Sequence, residues 1–332
     1  MRRKDRFKVR PRETDLRPST DMIGDMLNRI IPEVRGRGHT LIGLVGRGIQ
    51  ASRTPRMHER ESARLGLSCN YVLIDFDQLD LPDTALGEVL TIARAMGFAG
   101  LNVTHPFKQA VIPLLDALAP DADAIGAVNT VVFAGKLASG YNTDSWGFSE
   151  SFRGTMHGVP LNRVVQFGSG GAGAAVAHAL MELGVESLAI VDSEPGRASA
   201  LARRMSARFP GRVHEETDAA AALPRADGVV NTTPVGMAKY PGMPFSANLL
   251  SPRHWIAEII YFPEETELLR QGSALGCRTL AGAGMAIYQA VRAFELFTGL
   301  TPDRRAMAEH FGVASPLSKD WPAGTVDRID AL

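Results

Sequence analysis

The 332-residue sequence has no surplus of either charge: 36 Lys and Arg stand against 36 Asp and Glu. That balance argues against a nucleic-acid binder, whose affinity rests on many cationic contacts to phosphate. Cysteine is almost absent. Cys69 and Cys277 lie far apart and in no ligand spacing, so neither a disulfide framework nor a metal site is expected, only reduced, buried thiols. No apolar run reaches the ~18–20 residues of a membrane helix, and the first residues lack the apolar stretch of a secretory signal. These absences predict a soluble cytoplasmic protein with no membrane partner.

What remains is ordinary globular composition, 45% hydrophobic and 22% charged, over a length that suits two domains. One asymmetry is local. The first eighteen residues hold eight Arg or Lys against three acids, which reads as a solvated basic arm extending to residue 38.

From His39 onward strand-like and helix-like segments alternate. TLIGLV, CNYVLIDF and FAGLNVT read as strands, separated by the helices RTPRMHERESARLGL and DTALGEVLTIARAM, the second with Asp83 as its cap. FKQAVIPLLDAL reads as a helix, and AVNTVVF and KLASG as strands. A second alternation runs from RVVQF to GMAIYQAVRAFELFTG, the last helix, stopped by Gly299 and Pro302; a tail is expected after residue 312. The pattern predicts an α/β fold with largely parallel sheets.

RVVQF runs directly into Gly168-Ser169-Gly170-Gly171-Ala172-Gly173, a G-x-G-x-x-G loop opening an Ala-rich helix. Such a loop lets the backbone turn tightly and approach a pyrophosphate, while the helix offers free N–H groups and the positive end of its dipole. The motif alone also fits an ordinary glycine turn. Its context favours the dinucleotide, because SLAIVD ends in Asp192, placed to accept from a ribose 2′-hydroxyl and to repel a 2′-phosphate. That selects NAD over NADP, with Arg197 near enough to serve adenine or a phosphate; Asp192 as a simple helix cap is the alternative.

Ahead of the loop stands a polar set. Ser52 and Thr54 precede a Pro-started helix, where hydroxyls and helix N–H groups could hold a carboxylate or merely cap. Asn102 and Thr104 end a strand, Asn129 interrupts an apolar one, and Lys108 and Asp144 supply an amine and a carboxylate. Alcohol oxidation needs such a pair to take the hydroxyl proton. His105 is a weaker candidate base, since it points to the strand face opposite its neighbour Thr104.

In series, GLVGRGIQASRTPRMH, GLNVTHPFKQ, GAVNTVV, YNTDSWGF, FGSGGAG, NTTPVGM and GMAIYQA resemble the shikimate dehydrogenase family over most of residues 40–312. The SRTP, THPFKQ and DSE spellings are closer to its NAD-using quinate/shikimate members. The resemblance implies a substrate-binding and catalytic domain over 39–143 plus 285–312, and a Rossmann-type dinucleotide domain over 144–284, flanking a cleft. It implies Lys108 and Asp144 as the catalytic pair, with Ser52 and Thr54 on the carboxylate of a cyclohexane or cyclohexene acid. Asn102, Thr104, Asn129 and Gln289 would bind ring hydroxyls, with Tyr261 nearby; Thr232 and Gly282 would join the glycine loop at the cofactor.

Four positions depart from the family pattern: Ala51 for a frequent His, Thr54 for Ser, Ile259 for Met and Ala281 for Asp. They bear on substrate and cofactor preference. An NADP-linked or aminoshikimate-type relative, a folate-carbon dehydrogenase and a non-catalytic dinucleotide sensor stand as alternatives. A homodimer is the default assembly for such an enzyme.

Overall fold

The structure, a computed structural model, describes residues 20–31 and 39–312. Its first element, helix α1 (Thr20–Ile30), lies where a solvated arm was expected. Ile23 and Leu27, four residues apart and so on one face, are fully buried in the core of the first sheet. The basic opening residues and the tail after residue 312 fall outside the described residues.

Six strands build that sheet: β1 (His39–Gly46), β2 (Ser68–Asp75), β3 (Phe98–Val103), β4 (Ala117–Leu118), β5 (Thr130–Ala134) and β6 (Leu137–Tyr141), in the order β2-β1-β3-β5-β6-β4. The first three are parallel, with α2 (Thr54–Arg64) and α3 (Leu86–Ala95) as crossovers, and β5 runs antiparallel to both neighbours. From Leu41 on, β1 is apolar because both its faces are covered: Leu41 and Val45 enter one core, Ile42 and Leu44 another.

Three readings of this half need correction. FKQAVIPLLDAL is not a helix but a series of turns, a 3₁₀ turn at Ile112–Leu114 and then β4. Pro113 supplies no N–H and disfavours helical backbone at Ile112. Asp83 does not cap α3, which starts three residues later; its carboxylate instead accepts from Arg47 Nε and Nη2 at 2.8 and 2.7 Å. Helix α4 (Pro120–Ile125) was not foreseen, although Pro120 at its start, Asp121 and Asp123 in its first turn and left-handed Gly126 at its end are ordinary helix signals.

Helix α5 (Thr143–Thr155) leads into a second sheet, all parallel: β7 (Arg163–Phe167), β8 (Ser187–Val191), β9 (Val213–Glu215), β10 (Gly228–Asn231), β11 (Trp255–Glu258) and β12 (Arg278–Leu280). Their order, β12-β11-β10-β7-β8-β9, reverses direction between β7 and β10. The crevice outside that switch point is where open α/β sheets bind ligands. The intervening helices are α6 (Gly171–Glu182), α7 (Arg197–Ser206), α8 (Ala219–Ala222) and α9 (Glu267–Ala274).

Helix α10 (Ala283–Thr298) then returns to the first sheet, where Ala293 and Phe297 pack with Ile42 and Leu44. It is not the last helix. After the Gly299 stop, α11 (Arg304–Phe311) is capped by Asp303, which accepts from the Arg305 and Ala306 amides at 2.8 and 3.1 Å. Helices α5 and α10 cross at glycines: a β-carbon on Gly147 would lie 2.7 Å from the Gln289 amide nitrogen and 2.8 Å from the Met285 oxygen. Among the described residues no helix is long and apolar enough to cross a membrane.

Candidate active site

A cleft opens between the carboxyl ends of the two sheets. All nine residues expected to act on substrate line it: Ser52, Thr54, Asn102, Thr104, Lys108, Asn129, Asp144, Tyr261 and Gln289. They come from six separate segments of the chain. Lys108 sits on the turn that replaced the expected helix, and its backbone carbonyl accepts from the Val128 amide at 2.8 Å. Asp144 is the second residue of α5, whose first turn is capped by Asn142 accepting from the Ser145 amide at 3.1 Å.

Lys108 Nζ and Asp144 Oδ2 meet at 2.5 Å, with only 18% and 7% of the side chains exposed. A β-carbon on Gly171 would touch the Lys108 side chain at 3.2–3.3 Å, so the amine's stem lies directly against the glycine loop. The amine and carboxylate therefore face the mouth of the second sheet and not open solvent. His105, the rival base, is exposed and outside the cleft lining.

The substrate-side polar groups form a buried network. Asn102 accepts from the Tyr71 hydroxyl at 2.7 Å and donates to Thr130 Oγ1 at 3.0 Å. Asn129 donates to Thr143 Oγ1 at 2.9 Å and accepts from the Thr143 amide at 2.7 Å, tying β5 to the start of α5. The Thr143 hydroxyl reaches Gln289 Oε1 at 3.5 Å. Each amide would be costly in an apolar strand without such partners. Ser52 accepts from the Thr54 amide at 3.3 Å, and both hydroxyls border the cleft at the first turn of α2.

Tyr261, 38% exposed, closes the far side with its ring edge-on to Phe311 of α11, the ring centroids 5.5 Å apart. Arg53 spans the same gap. It donates to the Phe311 carbonyl at 3.2 Å and lies 3.7 Å from the Glu264 carboxylate on the opposite wall.

On the dinucleotide side the loop matches what a pyrophosphate requires. Gly168 has φ +97°, a conformation that side chains rarely adopt, and a β-carbon on Gly173 would lie 2.5 Å from the Gly168 oxygen. Gly170 differs: a β-carbon there would point into open space, so its hydrogen leaves the cradle free for a ligand. Thr232 props the turn by donating to the Phe167 and Gly168 carbonyls at 2.7 and 3.0 Å. Asp192 accepts from the Ser169 amide and hydroxyl at 2.8 and 2.5 Å, and α7 begins only at Arg197, with Gly196 as its cap. The helix-cap alternative for Asp192 therefore fails. Arg197 is exposed, Ala172 lines the cleft, and a β-carbon on Gly282 would lie 2.4 Å from the Ile259 backbone.

Sequence reasoning missed three supporting groups. Buried Gln166 in RVVQF donates to the Gly168 and Gly173 carbonyls, both at 2.9 Å, and so staples the glycine loop from below. Tyr71 orients Asn102. Glu258, 1% exposed at the end of β11, accepts from Asn231, Thr266 and the Ile259 and Ile260 amides; burial pushes its carboxyl up to about 7, against those hydrogen bonds. A lone polar residue in an apolar strand was the visible signal for Gln166 and Glu258.

A doubly wound sheet with a glycine cradle, joined across a cleft to a second α/β sheet bearing an amine–carboxylate pair, defines a two-domain, nicotinamide-dependent oxidoreductase. Comparison with known proteins narrows that class. The model of the shikimate dehydrogenase substrate binding domain matches residues 44–131, and that of the shikimate 5'-dehydrogenase C-terminal domain matches 282–310. A shikimate dehydrogenase (NADP(+)) of Streptomyces avermitilis is 52% identical over 271 residues, 80% of this chain and 93% of that protein. A quinate/shikimate dehydrogenase (NAD(+)) of Corynebacterium efficiens is 47% identical over 82% of this chain and 97% of its own length. Among solved structures, quinate dehydrogenase from Corynebacterium glutamicum in complex with NAD superposes with a TM-score of 0.77 at 44% identity, covering 82% of this chain and 98% of that one. The chain belongs to the shikimate dehydrogenase family.

Proposed function

We propose that this protein transfers a hydride between NAD and a ring alcohol of quinate or shikimate, giving 3-dehydroquinate or 3-dehydroshikimate. The observation that carries the proposal is the 2.5 Å contact of Lys108 and Asp144 against the glycine loop. The nicotinamide supplies the hydride acceptor when bound. The Lys108–Asp144 pair takes the hydroxyl proton as the alcohol carbon is oxidised and returns it in the reverse direction. Ser52 and Thr54, at the open first turn of α2, hold the ring carboxylate. Asn102, Thr104, Asn129 and Gln289 orient the ring hydroxyls, and Tyr261 covers the substrate from the opposite wall.

For the dinucleotide, the loop from Gly168 to Gly173 cradles the pyrophosphate at the start of α6. Thr232 and Gly282 border it, and Asp192 and Arg197 meet the adenosine end. Residues 39–143 plus 285–312 act as the substrate and catalytic domain and 144–284 as the dinucleotide domain, working in the cytoplasm. The preference for NAD rests on the Asp192 carboxylate, which would repel a 2′-phosphate. NADP is the second reading, supported by exposed Arg197 and by the 52% identical relative that carries NADP(+) in its name.

Steady-state assays pairing quinate and shikimate with NAD and NADP test the whole proposal. Turnover with NAD and at least one of the two acids is expected. A clear preference for NADP would overturn the role given to Asp192, and binding without turnover would revive the sensor.

A further inference from the structure

Glu258 takes no part in the proton relay, yet its carboxylate lies one residue before the cleft wall. Oε1 accepts from Asn231 Nδ2 at 3.2 Å and from the Ile259 and Ile260 amides at 2.9 and 3.1 Å; Oε2 accepts from the same Asn231 nitrogen at 3.0 Å and from the Thr266 hydroxyl at 3.1 Å. These donors belong to three segments. Asn231 ends β10 and, through its own Oδ1, accepts from the Thr233 amide and hydroxyl at 3.0 and 2.7 Å. Ile259 opens the wall that ends in Tyr261, and both residues line the cleft. Thr266 caps α9. Five donor contacts converge on two oxygens, and the one facing group that can also accept is the Thr266 hydroxyl.

Such a site favours an ionised carboxylate over a neutral one, against the cost of burial. A neutral carboxyl or carboxamide would place hydrogen at one oxygen position, opposite the Asn231 amide, and would crowd the three N–H donors onto the other. No ion pair reaches Glu258 among the described residues. The facing groups are the neutral Asn231 and Thr266 and two backbone amides; Tyr261, Glu264, Glu265 and Glu267, the titratable residues that follow it in the chain, make no hydrogen bond to it.

We propose that Glu258 is a positioning residue: its carboxylate holds the Ile259–Tyr261 wall and the Asn231–Thr233 turn in the one arrangement that receives the reactive end of the dinucleotide. The inference rests on the dinucleotide reading above. Its consequence is pH-dependent. The ionised form keeps every donor satisfied and the wall fixed. Protonation, which burial brings up to about pH 7, removes an acceptor and frees the wall, so dinucleotide binding weakens as pH falls from 8 to 6.

The test is calorimetric titration of the full chain with NAD at pH 6, 7 and 8, on the wild type, Glu258→Gln and Glu258→Asp. The wild type should bind about tenfold more weakly at pH 6 than at pH 8. Glu258→Gln should bind weakly and equally at all three values, and Glu258→Asp, which keeps the charge, should recover part of the affinity at pH 8. Should Glu258→Gln not fold, Thr266→Val serves. Removing one donor raises the carboxyl's pKa, so the midpoint of the pH effect should move upward. Wild-type affinity in Glu258→Gln, a wild-type pH slope that survives in it, or an unmoved midpoint in Thr266→Val would each overturn the inference while leaving the dehydrogenase reading intact. A wild-type chain that binds no dinucleotide would remove both.

Discussion

Lys108 and Asp144 are an ion pair of the kind that folding alone has little reason to keep. Charges this far buried repay their desolvation only with good geometry, and an apolar pair of similar volume would often serve stability as well. Lys108→Ala should therefore lower kcat by about 10²–10⁴, the usual span of general acid–base catalysis, while substrate affinity changes only a few-fold. Steady-state kinetics with direct substrate titration separates the two effects, and near-normal turnover would discard the relay. Asp192 makes a different residue-scale claim. With its carboxylate gone, the repulsion of a 2′-phosphate at the end of β8 is left to exposed Glu194 alone, so Asp192→Ala should raise kcat/KM with NADP relative to NAD by about tenfold, which corresponds to about 1.4 kcal/mol. An unchanged cofactor ratio would place the discrimination elsewhere.

Among the elements, the seam where α2 and β2 meet α10 carries an acid sensitivity. His58 of α2 is fully buried against Tyr71, Phe294 and Phe297, with neither ring nitrogen hydrogen-bonded, and burial lowers its pKa from 6.5 to about 3. The unfolded chain binds this proton below about pH 6.5 and the folded chain does not, so the contribution is complete above 6.5 and shrinks as pH falls toward 3. Between pH 7 and 5 the wild type should lose about 2 kcal/mol of unfolding free energy that His58→Phe keeps, as read from urea melts at both values. Equal losses would refute this account. The elements themselves were legible where period and punctuation agreed, as in β1, the Gly168–Gly173 turn and the Gly299 stop. FKQAVIPLLDAL was misread because its apolar spacing suits a helix that Pro113 forbids. Helix α1 was missed because basic residues on either side masked Ile23 and Leu27. Lys108 and Asp144 could be read from the order of short motifs. Gln166 and Glu258 could be seen as oddities in apolar strands, but their partners lie in segments that only the folded chain brings near.

Across the whole molecule, the two sheets are held together by more than the linkers between them. Arg53 reaches the Phe311 carbonyl and approaches Glu264, and Tyr261 rests on Phe311 beside it. Exposed ion pairs of this sort contribute at most about 1 kcal/mol, a strength suited to contacts that part and re-form as ligands pass. The α5–α10 crossing is of another kind, because backbone meets backbone at Gly147. Gly147→Ala should destabilise the fold by about 1–3 kcal/mol and also depress turnover, although the altered residue touches no ligand. Urea melts and kinetics on the same preparation check this, and full turnover in a destabilised variant would refute the second half. Asp144 hangs from one of these helices and Gln289 from the other, three residues before Gly147 and opposite it. The gap between a proton-handling oxygen and the amide across from it is thus gauged by a hydrogen atom, and one added methyl would change the reach of both side chains at once.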